Sequence, residues 1–287
     1  MKRSATVRLE LDSKPESVTL VRAVLSAVAE SMALESELLN DLKTAVSEAC
    51  NNVVVHAYGG RPGPLRVEVE ASGEGVSTTV RDRGSGMRNL AAREDGMGVG
   101  LAVISALAAR AEFLTPADGG TEVRMWFPIG PAAPEELERF EDHRRERGSP
   151  RDGAPAVALS GDVVVTVSPV ALMSPVLGRL ARAVAAGARF SFDRFSDVYL
   201  VADTLGAHAQ KAAAGERISF SLQSEGKRLE LWLGPFSQGS GSQFQQSAAA
   251  QPRESPLALL ADEILVDQNG PAETLRVVLR DRGAGAD

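Results

Sequence analysis

"VRDRGSGMRNLAAREDGMGVGLAV", residues 80–103, sets two glycine clusters beside one carboxylate and one helix start. Asp82 closes an alternating run, Gly84 and Gly86 follow at once, and Gly96, Gly98 and Gly100 lead into an apolar stretch. Glycine lets a backbone turn tightly and approach a ligand closely. Backbone N–H groups at a helix start attract phosphate. Taken singly, each cluster also reads as an ordinary turn, and a GxGxG that does not follow a strand falls short of the dinucleotide fingerprint. What surrounds the stretch therefore decides its meaning.

Upstream lies "AVSEACNNVVVHAY" (45–58), in which Glu48 and Asn52 stand four residues apart and so share a helix face. Leu42, Ala45, Val46, Ala49 and Val53 form the opposing apolar stripe. A carboxylate stacked on a carboxamide can orient a hydroxyl and coordinate a hard cation through oxygen. Alone, the pair is also what a solvated helix face shows. Downstream, Gly120 and Thr121 open the strand "GGTEVRMWFP" (119–128).

The rest of the first half reads as alternating elements. "ATVRLEL" (5–11) is a strand, "PESVTLVRAVLSAVAESM" (15–32) a helix with proline in its first turn, and 37–58 a second helix stopped by Gly59-Gly60. "LRVEVEAS" and "VSTTVRD" form a hairpin, and a helix is expected over about 97–110. Residues 129–160 combine prolines, glycines and mixed charge. They read as a linker holding one solvated helix around 135–147. His143 belongs to that linker, and His56 on the second helix reads as structural.

The 287 residues suit two domains, each long enough to bury a core. A net charge of −7 argues against nucleic-acid binding. One cysteine, Cys50, allows no intramolecular disulfide, and with no zinc-type cluster it implies a reducing, cytoplasmic setting. No signal-peptide core opens the chain, and the longest apolar candidate, "GVGLAVISALAARA", reads as a buried helix and not a membrane span.

In this order, the four pieces resemble the GHKL-type ATP-binding fold shared by histidine kinases, gyrase-type ATPases and anti-sigma-factor serine kinases. "AVSEACNNVVVHAY" is similar to the N box, "DRGSGM" to the first glycine box and "GMGVGLAV" to the second. The partner-switching anti-sigma kinases match best, over about residues 5–128. The resemblance implies a two-layer α/β sandwich whose mixed, mostly antiparallel sheet is covered on one face by helices. Its cofactors would be ATP and Mg²⁺. Asn52 would ligate Mg²⁺ and Glu48 would act as the base toward a serine or threonine hydroxyl. Asp82 would read the adenine amine, with Gly84, Gly86 and Met87 in the first box. Gly96, Gly98 and Gly100 would form the phosphate side of the lid, and Thr121 would back the base. Only "RNLAARED" separates Met87 from Gly96, a short lid. The implied partners are a sigma factor or similar regulator and a STAS-domain antagonist, with no direct nucleic-acid or membrane contact.

After the linker the order repeats, at an offset of about 155–156 residues. A strand (162–168), helices (169–187 and 193–213), a hairpin (217–234), a helix (255–266) and a final strand (273–281) follow. Glu48 falls opposite Asp203 or Thr204, and Asn52 opposite Ala207 or His208. No aspartate stands in "GPFSQGSGSQF", and "ESPLALLADEIL" replaces the second glycine box. The loop 234–254 reads as mobile. The expected organisation is an ATP-binding kinase domain (1–128), a linker (129–160) and a degenerate tandem copy without nucleotide motifs (161–287). The chain would form a homodimer or an intrachain pseudo-dimer. The rival readings are a kinase-inactive, nucleotide-dependent binding module and a structural protein with incidental glycines.

Overall fold

Alternation along the first strand, β1 (Ala5–Asp12), buries Ala5, Val7, Leu9 and Leu11 and turns Arg8 and Glu10 outward. That period of two marks a sheet with one packed face. The computed structural model describes residues 4–86, 99–130, 159–250, 256–269 and 272–281. The linker helix expected at 135–147, with His143, lies outside them.

The first half continues with α1 (Pro15–Met32), α2 (Ser36–Asn52), β2 (Pro64–Ala71), β3 (Gly75–Asp82), α3 (Val99–Leu107), β4 (Arg110–Leu114) and β5 (Glu122–Pro128). The second holds β6 (Val163–Ser168), α4 (Met173–Gly187), α5 (Phe192–Ala212), β7 (Ile218–Glu225), β8 (Arg228–Ser237), α6 (Ser240–Ala250), α7 (Pro256–Leu260), β9 (Glu263–Asn269) and β10 (Ala272–Arg280).

All ten strands join one sheet in the order β4-β5-β3-β2-β1-β6-β7-β8-β10-β9. Every pair is antiparallel, so the mixed sheet expected from the resemblance is not found among the described residues. Tight connections such as Glu225–Arg228 between β7 and β8 favour this pairing, since a parallel neighbour needs a long crossover. The two halves meet where β1 pairs with β6, Leu9 opposite Val165. Read outward from that seam, the order is β1-β2-β3-β5-β4 on one side and β6-β7-β8-β10-β9 on the other.

One register row crosses the whole sheet: Phe113, Val123, Val80, Val67, Leu9, Val165, Phe220, Leu233, Leu275 and Val266. All ten are apolar, and the eight central ones are buried. The core is therefore continuous across the seam. The helices pack on this face. The opposite face carries cross-strand ion pairs such as Arg8–Glu68 at 2.8 Å and Arg66–Glu10 at 2.8 Å. Helix α1 packs against α4, its neighbour across the seam, and Arg179 of α4 pairs with Glu30 of α1.

Several elements differ from expectation. Helix α3 stops at Leu107, and residues 110–114 form the edge strand β4, pairing Phe113 with Val123. The α-helix of the second segment ends at Asn52, and Val53–Ala57 form a π turn. The expected helix at 255–266 is only Pro256–Leu260, followed by β9 on β10. The loop expected to be mobile at 234–254 contains α6. Edge strands of this kind are stabilised by partners distant in sequence, which local periodicity does not reveal. Contrary to the expectation of no membrane-length apolar segment, Val170–Gly187 is long and apolar enough by length and composition. Half of it is buried, and Val176, Leu177, Leu180 and Ala181 lie in the core.

Candidate functional site

An open cleft lies between α2, the π turn, the end of β3 and the start of β5. Asn52, His56, Asp82, Gly86, Leu101 and Thr121 are among its lining residues. Its walls are set by backbone contacts that need glycine. Gly120, at φ +80°, approaches so closely that a Cβ would strike the Asp82 carbonyl. A Cβ on Gly84 would strike the carbonyl of Ala57. Gly86, at φ +72°, lies in the left-handed region that favours glycine.

Asp82 is buried at the base of this cleft, 2% exposed. Its Oδ1 accepts the Gly84 amide at 2.7 Å, and its own amide donates to the Thr121 carbonyl at 3.0 Å. With Oδ1 held by the turn, the second carboxylate oxygen is the one able to accept from a ligand amine. Thr121 thus stands beside Asp82, as two adjacent antiparallel strands require.

Glu48 and Asn52 meet the start of α3. A Cβ on Gly100 would lie 3.0 Å from Glu48 Oε2 and 3.4 Å from Asn52 Oδ1. Glycine there leaves the two oxygens uncovered at a helix N-terminus, where backbone N–H groups favour an anion. A nucleotide fits this set: a buried carboxylate for an exocyclic amine, and a helix start for phosphate. Mg²⁺ fits too, because it takes few protein oxygens and completes its shell with phosphate and water. Asn52 Oδ1 is the candidate protein ligand. No cluster of three or more acidic, histidine or cysteine residues suited to a metal occurs among the described residues.

The structure thus brings Asn52, Asp82, Gly84, Gly86, Gly100 and Thr121 to one cleft, with Glu48 beside Asn52. Met87, Gly96 and Gly98 lie outside the described residues. His56 is exposed at the mouth. Tyr58, which motif reading passed over, ties the site together. Its hydroxyl accepts the Arg83 amide at 2.8 Å and donates to the Pro64 carbonyl at 2.6 Å. Partial burial and the Asp82 charge raise its pKa against the opposing Arg83 amide bond, so the phenol stays protonated at neutral pH. Cys50, behind the cleft, is fully buried and its thiol is pushed up to about 12.

The mirrored strand order sets different residues at the matching places of the second half. Two residues beyond the register row, Pro235 stands where Asp82 stands in the first half, and Glu273 stands where Thr121 does. Phe244 of α6 stacks on His208 with ring centroids 4.0 Å apart, and Phe236 lies 5.0 Å from the same ring. Glu273 Oε2 accepts the Gly241 amide at 2.7 Å and Oε1 the Ser242 hydroxyl at 2.9 Å.

These features suit a nucleotide-binding domain in the first half. Residues 11–127 match the histidine kinase-like ATPase domain. Among curated relatives, the chain is 47% identical over 57 residues to the serine-protein kinase RsbW of Bacillus pumilus, covering 20% of this chain and 35% of that protein. It is 35% identical over 98 residues to the serine-protein kinase RsbW of Bacillus licheniformis, covering 30% and 61%. It is 28% identical over 140 residues to the anti-sigma F factor of Thermoanaerobacter sp., covering 45% and 98%. The chain thus spans about a third and about three fifths of the length of these two kinases.

Proposed function

We propose that the first half is an ATP-binding serine/threonine protein kinase of the anti-sigma type. It would sequester a sigma factor or similar regulator and phosphorylate a STAS-type antagonist. The observation that carries this reading is the convergence of Asp82, Asn52 and Gly100 on one cleft, with Glu48 beside them. The names of the relatives support the choice of kinase over other ATPases of this fold. A single cysteine, buried, fits a cytoplasmic setting.

Bound ATP with Mg²⁺ supplies the phosphoryl group and offsets its charge. The chain's own residues position and polarise. Asp82 accepts the adenine amine, and Gly84, Gly86 and Gly120 let the backbone close on the base. Thr121 backs that carboxylate. Asn52 Oδ1 would hold the cation, and the backbone amides at the α3 start by Gly100 would offset phosphate charge. Glu48 Oε2 takes the proton from the attacking hydroxyl. Phosphoryl transfer needs mainly positioning and charge neutralisation, so this small set suffices.

The test is transfer of labelled γ-phosphate to a STAS-domain antagonist. Glu48→Gln should lower the transfer rate roughly 100- to 10,000-fold, the range of a general base, while ATP still binds. Transfer at the wild-type rate would refute the assignment of the base.

The second half is read as a degenerate copy making a pseudo-dimer within one chain. The mirrored strand order about the β1–β6 seam and the different residues at the matching places support this. A kinase-inactive, nucleotide-dependent binding module is the second reading, favoured by the short "RNLAARED" segment and the degenerate second half. ATP binding without transfer to any partner would select it.

A further inference from the structure

The β2–β3 ladder ends at the cleft mouth with Leu65 opposite Asp82, and just beyond it lie Pro64, which opens β2, and the Arg83–Gly86 turn. Tyr58 joins them. Its hydroxyl accepts the Arg83 amide at 2.8 Å and donates to the Pro64 carbonyl at 2.6 Å. Its ring lies over Gly63, where a Cβ would come 2.5 Å from the ring carbons. The adjoining π turn adds a third tie, since the Ser85 amide donates to the Ala57 carbonyl at 2.9 Å. π turns inside helices concentrate at functional sites. Here the turn at Val53–Ala57 follows Asn52 directly, and Ala57 and Tyr58 at its end reach the turn that carries Asp82.

We infer that Tyr58 is a positioning residue for nucleotide recognition, fixing the Asp82 turn relative to Asn52. The inference rests on the nucleotide reading of the cleft. Tyr58 need not touch the nucleotide. Five residues separate it from the cation-side residue Asn52, and its bond from the Arg83 amide reaches the turn directly after the base-side residue Asp82. Removing the hydroxyl leaves the Arg83 amide and Pro64 carbonyl without that partner and frees the turn. One such bond corresponds to roughly three- to tenfold in a local equilibrium.

The test uses the full-length chain with Tyr58→Phe, which keeps the ring, and Gly63→Ala, which displaces it. In nucleotide-free protein, exchange of the Arg83 amide should rise roughly three- to tenfold in Tyr58→Phe. ATP affinity by calorimetry should fall about tenfold, and the preference for ATP over GTP should shrink, with the melting temperature little changed. Gly63→Ala should reproduce the loss of base preference. A purely structural tyrosine would lower the melting temperature and leave base preference intact, and that result overturns the inference. Unchanged Arg83 exchange overturns it as well. Wild-type protein that binds no adenine nucleotide would instead overturn the nucleotide reading, an outcome seen in the wild-type titration alone.

Discussion

Asp82 shows how one buried carboxylate is kept usable. It is 2% exposed, yet Oδ1 is satisfied by the Gly84 amide at 2.7 Å. A buried acceptor left without partners would cost about 1–3 kcal/mol, so the turn makes the charge tolerable and orients it. Asp82→Asn keeps the size but places a donor where an acceptor is needed. The expected outcome is a fall in ATP affinity of roughly ten- to a hundredfold, measured by calorimetry on the whole chain. Affinity equal to wild type would show that Asp82 does not read the base. Asn52, Glu48, Asp82, Gly84, Gly86 and Gly100 stand out in the sequence by spacing and residue type alone, and the fold brings them around one cleft. Tyr58 and Glu273 were not legible. A tyrosine after a histidine and a glutamate opening a strand carry no local sign of the amides they meet from distant segments.

Among the elements, the long helices and alternating strands could be read directly, because a stripe of period 3.6 or 2 lies within each of them. Helix α6 could not. Its run "SGSQFQQSAAA" has little apolar character, and its start is held by Glu273, 32 residues away from Gly241. Burial raises that carboxyl, but hydrogen bonds from Ser242 and from the Gly241, Ser242 and Gly239 amides outweigh it and lower the pKa. The folded form therefore gains stability above the unfolded carboxyl pKa of about 4.3 and loses it as pH falls. Glu273→Ala should destabilise the chain by about 1–3 kcal/mol, read by urea denaturation at pH 7. A midpoint within error of wild type would show that the α6 start needs no such partner.

His208, under Phe244, gives this element a second pH response. Burial first, and then the Lys211 charge, lower its pKa, and its buried Nε2 finds no hydrogen-bond partner among the described residues. The neutral ring is favoured in the folded state, and the unfolded state binds the proton more readily. Stability should therefore be full above about pH 6.5 and decline as pH drops below it. His208→Phe should flatten the melting temperature between pH 7 and 5.5, while leaving the carboxylate-driven loss at lower pH. A slope in that window equal to wild type would remove His208 as its source.

At the scale of the molecule, the β1–β6 pair joins the two halves into one sheet. β1 has β2 on one side and β6 on the other, so both of its edges are used within the chain. An open strand edge invites a partner strand, and a covered one does not. Scattering in solution should give the mass of one chain, 30.2 kDa, and calorimetry one ATP per chain. An obligate dimer formed through β1, or two nucleotides per chain, would contradict the single-chain pseudo-dimer.

The kind of domain in the first half and the chemistry offered by Glu48, Asn52 and Asp82 were present in residue order, since short motifs and periodic stripes act over a few neighbouring residues. Folding in three dimensions decided the rest: that Leu9 meets Val165 and makes two halves one sheet, that edge strands and α6 form at all, and that Phe244 packs on His208 while Glu273 holds the α6 start. Each of these depends on a partner far along the chain, and a strand or helix stabilised from a distance leaves no period of its own to read.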